Sequence, residues 1–95
     1  MTGGLKDKSI AGLTTGSTAV VTANKGRNYL LMQNVHAKVD IWLNPLGGTA
    51  APNTAGSLRL VANGGYIEWV GPFVPSNAMT ARSASATSDL TVVEG

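Results

Sequence analysis

Apolar residues recur at every second position in separate stretches of this 95-residue chain, and that spacing restricts its fold more than any other feature. In Lys38–Asn44 the residues Val39, Ile41 and Leu43 fall on one side. Lys38, Asp40, Trp42 and Asn44 fall on the other. Leu58 and Leu60 repeat the pattern, as do Ile67 and Trp69 between Tyr66, Glu68 and Val70. A period of two is the mark of a strand with one buried face. Ambiguous Ala-rich pieces aside, no stretch long enough for a helix carries the 3.6-residue period. The chain reads as all-β.

The stretch Arg27–Asn44 is the expected centre of the fold. Tyr29-Leu30-Leu31-Met32 is apolar at consecutive positions, which predicts a strand covered on both faces. Asn34–Lys38 is short enough to return the chain, so a β-hairpin is expected, its first strand central and its second with one wet face. Around it, Ser17–Ala23 is β-branched and reads as a strand. Asn24-Lys25-Gly26 is a turn in which Asn24 or Gly26 can take a positive φ. Pro45 stops the hairpin because it has no N–H to donate. The loop Leu46–Gly56 is long for a compact domain, and it is expected to project and touch a neighbouring subunit. Asn63-Gly64-Gly65 is the strongest turn signal, since Asn-Gly suits the type I′ turn of a two-residue hairpin. It predicts that Ser57–Ala62 and Tyr66–Val70 pair. Pro72 and Pro75 then break regular pairing. Asn77–Ser85 and Ser88–Glu94 are expected as a last pair, with Met79 and Ala81 facing Leu90 and Val92.

About seven to eight short strands with closely spaced turns predict a single antiparallel β-sandwich, jelly-roll-like, over residues 17–95. Its expected core is Leu30, Ile41, Leu43, Leu58, Leu60, Ile67, Leu90 and Val92. Residues 1–16 show little periodicity and read as an N-terminal arm, ordered only against a neighbour.

Composition narrows the function. Hydrophobic residues are 43% of the chain, but only 5% is aromatic and much of the remainder is Ala, so the core is thin. Small domains of this kind gain stability from disulfides, metals or partners. There is no Cys, and a single His without an acidic cluster speaks against a structural metal. A partner is left. Charged residues are 13% and the net charge is only +2. The Lys and Arg positions are scattered, whereas a nucleic-acid footprint gathers them on one stripe; no direct nucleic-acid binding is expected. The first residues, Met1–Lys8, hold no apolar run long enough for a signal peptide, and nothing approaches a transmembrane helix. Synthesis in the cytoplasm of the producing cell, with no membrane attachment, is the expectation.

No catalytic constellation emerges. His36 lies at an expected turn with no nucleophile elbow near it. Asp40, Glu68 and Asp89 fall on different expected strands, each on the solvent side, where solvation is the plain explanation. The chain is expected to be no enzyme and to need no cofactor. The aromatics carry more information. Trp42 falls on the wet face, as an interface hot spot would, unless its strand is covered on both sides. Phe73, between Pro72 and Pro75, is either a rigid protrusion suited to docking or a plug on the sandwich. Partner contact is expected at Trp42 and Phe73, at Leu46 and Pro52 of the long loop, and at Leu5 of the arm.

The leading arm, the string Arg27-Asn-Tyr-Leu-Leu-Met-Gln-Asn34, the return Gly64-Gly65-Tyr-Ile-Glu-Trp69 and the closing Ser83-Ala-Ser…Asp89-Leu-Thr-Val-Val-Glu94 resemble small β-sandwich virion proteins of tailed bacteriophages. These include capsid decoration (cement) proteins and the sandwich domains of head fibres and tail parts. The resemblance implies a virion structural protein that binds the major capsid protein or another virion protein, often as a dimer or trimer at symmetry axes. The lack of a helical or coiled-coil segment weighs against a fibre. A function of another class is a carbohydrate-binding module that stacks sugars on Trp42, Tyr66 or Trp69. That reading needs these aromatics together on one face, beside carboxylates.

Overall fold

The computed structural model describes residues 4–95, and the arm expected over residues 1–16 lies partly outside them. Nine strands are described: β1 (Lys6–Asp7), β2 (Ile10–Leu13), β3 (Thr18–Val21), β4 (Tyr29–Asn34), β5 (Ile41–Asn44), β6 (Leu58–Leu60), β7 (Tyr66–Val70), β8 (Met79–Ser83) and β9 (Ser88–Glu94). One sheet runs β1-β9-β4-β7, with β2 also on β9; the other runs β3-β8-β5-β6. Every pairing is antiparallel. The chain is a small all-β sandwich.

Between the sheets lies a core of Leu13, Val20, Val21, Leu30, Met32, Ile41, Leu43, Leu60, Met79, Ala81, Leu90 and Val92. Most of the expected core is there. Leu58, at the sheet edge, is exposed, and Ile67 packs on the core only half-buried. Leu13, Val20, Val21, Met32, Met79 and Ala81 complete it. Met79 and Ala81 share the core with Leu90 and Val92, but β8 and β9 lie in different sheets and do not pair.

The expected hairpins give way to crossovers. β4 and β5 belong to different sheets, as do β6 and β7, and β8 and β9. Consecutive strands hop between layers as in a jelly roll, and β5–β6 is the pair that is adjacent both in sequence and in one sheet. The reason is the thin core. A strand pair with a single apolar face must be covered by another layer, and alternating layers covers both at once. Asn63 and Gly64 do take positive φ, of 63° and 107°, but their turn carries the chain from one sheet to the other. Neither Asn24 nor Gly26 is among the positive-φ residues. β4 alternates between buried and half-buried, so its consecutive apolar run is core on one face and partly wet on the other.

The described part of the segment expected as an arm adds two strands to the sheet. β1 pairs Lys6 with Glu94, β2 pairs Ile10 with Leu90, and Leu13 is buried in the core. β1 is two polar residues and β2 four residues with a register shift, too short to show a period, and β9 supplies the template.

Candidate functional site: the loop end braced by Arg27 and Glu94

The inward phase of β9 runs Ser88, Leu90, Val92, Glu94, and it carries a carboxylate to the end of the sandwich. A carboxylate placed there needs a cation. Arg27, buried just before β4, provides it: its Nε donates to Glu94 Oε2 at 2.7 Å. The rest of the guanidinium is spent on loop carbonyls. Nη1 donates to the Pro75 carbonyl at 2.7 Å and the Asn77 carbonyl at 3.3 Å, and Nη2 to the Thr22 carbonyl at 2.7 Å. One planar fork therefore ties the ends of β3 and β9 to the segment between β7 and β8. Burial works against the Glu94 carboxylate, but hydrogen bonds from Arg27 and Asn24 and the charges of Arg27 and Lys8 bring its pKa net below the ordinary value.

Further bonds knit this end together. The Asn28 and Tyr29 amides donate to the Gly95 carbonyl, Gly71 N–H to the Asn28 carbonyl, and Asn24 N–H to the Ser76 carbonyl. Asn77 Nδ2 reaches the Pro45 carbonyl at 2.7 Å. Beside the brace, an open groove of about 480 Å³ is lined by Leu5, Asn24, Asn28, Tyr29, Glu94 and Gly95 among others.

Three of the expected contact residues lie on segments at this end of the sandwich. Phe73, in a 3-10 turn at Gly71–Phe73, is 82% exposed; Leu46 is 78% and Leu5 69% exposed. Phe73 is a protrusion, then, and not a plug. Arg27 holds the Pro75 and Asn77 carbonyls that follow Phe73, and Asn77 holds the Pro45 carbonyl that precedes Leu46. Pro52 is half-buried. The loop that holds it is folded down: Ala50 is buried, its N–H bonds Ser17 Oγ, and Ala51 N–H bonds Ser57 Oγ. Asn44 organises its start, accepting from Leu46 N–H and donating to the Thr49 carbonyl.

Trp42 is only 8% exposed. It points to the outer face of its sheet, since Ile41 and Leu43 fill the core. Its cross-strand neighbours are Arg59 on β6 and Arg82 on β8. Two long aliphatic stems beside an indole cover it, which the alternation alone does not reveal. Trp42 is a buried packing residue and not an exposed hot spot.

The aromatics named for sugar stacking are dispersed. Trp42 is covered on one sheet, Trp69 packs half-buried on the core, and Tyr66 is exposed on the outer face of the other sheet.

The polar residues singled out in the sequence have structural partners. His36 is half-buried, and its Nδ1 accepts from the Lys38 and Val39 amides at 3.0 and 3.1 Å. Asp40 accepts from Ala62 N–H and Arg59 Nε, each at 2.8 Å; the Ala62 bond first, and then the Arg59 bond and charge, outweigh desolvation and lower its pKa. Asp89 accepts from Gly12 N–H at 2.9 Å. Tyr29 donates its phenol proton to Glu68 at 2.5 Å, and that bond raises the phenol's pKa. Among the described residues, no group of three or more His, Cys, Asp or Glu is placed to hold a metal ion. No described helix is long and apolar enough to cross a membrane.

No family model, curated protein or solved structure matches this chain. Its function is argued from the fold and from this end of the sandwich.

Proposed function

We propose that this chain is a non-enzymatic structural protein of a phage particle, a decoration or cement module that binds and cross-links capsid subunits. It is made in the host cytoplasm, resides in the virion, and docks by the loop end braced by Arg27 and Glu94. One observation carries the reading: Phe73, Leu46 and Leu5, the most exposed large apolar side chains described, lie on segments at the end of the sandwich where Arg27 and Glu94 form a buried ion pair. Preformed apolar anchors on a fixed base suit permanent assembly, because little ordering entropy is lost on docking. The resemblance of three strings to virion sandwich proteins supplies the class of partner, and the low-charge surface suits a protein locked in an assembly.

The test is direct. Particles banded on a density gradient from cells that make this protein are expected to contain it in stoichiometric amount with the capsid subunit. Phe73→Ala combined with Leu46→Ala is expected to lower occupancy on the particle by about thirtyfold, the equivalent of about 2 kcal/mol for one hot spot. Absence from purified particles would remove the reading.

A further inference from the structure

The free edges of the sandwich are not alike. A bare edge is a template for another strand, and proteins blunt it with short strands, bulges or charge. β1 has two residues and β6 three. β2 and β3 break register, between Ile10 and Leu13 and between Ala19 and Val21. β7 alone is long and regular: its five residues pair with β4 in unbroken register from Tyr29↔Val70 to Gln33↔Tyr66. Among the described residues, no strand lies on its other side.

The side chains of β7 are incomplete in the same place. Tyr66 and Val70 stand exposed on the outer face. Ile67 and Trp69 point to the core yet stay half-buried, whereas the core-facing Leu30 and Met32 on β4, and Leu90 and Val92 on β9, are fully buried. The core is open along this edge, and one more strand would close it.

We propose that β7 is the docking edge for an extended polypeptide strand of a partner protein, added antiparallel. The partner strand carries Lys or Arg opposite Glu68 and apolar side chains opposite Tyr66, Ile67, Trp69 and Val70. The charge pattern selects the occupant. Glu68 is the charged residue of β7, and the Tyr29 phenol fixes its carboxylate on the outer face. A second copy of this chain, paired antiparallel about Glu68, would set two carboxylates opposite each other, a destabilising pair. A cation there turns the same position into an attraction. The main chain of β7 supplies the binding groups, and the alternate side chains supply the selection. This edge goes beyond the particle role: absence from particles leaves the titration below to stand by itself, and a failed titration leaves the loop end to be tested.

The probe is the blocked peptide Thr-Val-Ile-Lys-Val-Val-Thr, titrated into the full isotope-labelled chain and followed by amide chemical shifts. The largest shifts are expected at Tyr66–Val70. Replacing the peptide lysine by glutamate is expected to weaken binding at least fivefold, and Glu68→Lys to reverse that preference. Glu68→Gln, the milder change, is expected to erase it. Three results would each overturn the proposal: no shifts on β7 at millimolar peptide, equal affinity for both peptides, or shifts centred elsewhere. Self-association that perturbs β7 without peptide would assign the edge to a second copy and also overturn it.

Discussion

At the scale of single residues, Arg27 carries the most weight. Its guanidinium is fully buried and donates to the Glu94 carboxylate and to the carbonyls of Thr22, Pro75 and Asn77. Removing one partner of a buried pair leaves the other charged and unpaired, at a cost of about 3–5 kcal/mol. Arg27→Met is therefore expected to drop the melting temperature far more than Arg59→Met, whose pair with Asp40 is exposed and worth about 0–1 kcal/mol. Differential scanning calorimetry of the two variants checks this, and equal melting would refute it. The pH dependence follows from Glu94. Its folded pKa lies below the unfolded value of 4.5, so the stability it contributes is present above that value and lost as pH falls through the folded one. Melting is expected to fall as pH drops below about 4.5, and Glu94→Gln is expected to melt lower at neutral pH with a shallower acid fall. Arg27 looks in the sequence like one more scattered cation. The signal that does exist is at Glu94, whose position continues the inward phase of Leu90 and Val92.

At the scale of elements, the turns after β4 and β6 decide whether the layers meet. Asn34 is buried in phase with Leu30 and Met32, and its side chain donates to the Val39 and Leu60 carbonyls at 2.8 and 2.9 Å. It also accepts from His36 N–H. The turn after β6 is pinned to it, with Gly64 N–H on the Asn34 carbonyl and Asn63 N–H on the His36 carbonyl. Gly65 has no room for a side chain, because a Cβ there would collide with the backbone N and O of Val61. Gly64 has space but a positive φ. Gly64→Ala is thus expected to cost about 1–2 kcal/mol through backbone conformation. Gly65→Ala costs more, since strands β6 and β7 must shift as well; urea melts of both rank them. Period-two strands and Asn-Gly turns are legible in the sequence because both are local. The partner of each strand is not, because a crossover between sheets and a hairpin within one use the same turn residues. Trp42 shows the same limit: its alternation is visible, but the arginines beside it come from β6 and β8.

At the scale of the whole molecule, the two faces of function separate from the fold in a pair of variants. Trp42→Ala is expected to cost about 3–5 kcal/mol of folding, whereas Phe73→Ala is expected to melt like the parent and lose attachment. Thermal melting beside occupancy on the particle checks both. If Phe73→Ala also assembles normally, the loop end is not the docking surface. One feature of the architecture reaches into how the molecule comes into being. β9 lies between β4 and the β1–β2 segment, and the Val92 amide bonds the Ser9 hydroxyl across 83 positions of chain. While the ribosome is still making everything upstream of β9, the sheet has no middle strand to gather on. The nascent chain must wait with β1 and β2 unpaired and one side of β4 open, and closing loops of that span is what slows non-local β topologies to milliseconds or seconds. Its exposure to chaperones and to its own neighbours is therefore set by the time taken to complete one strand.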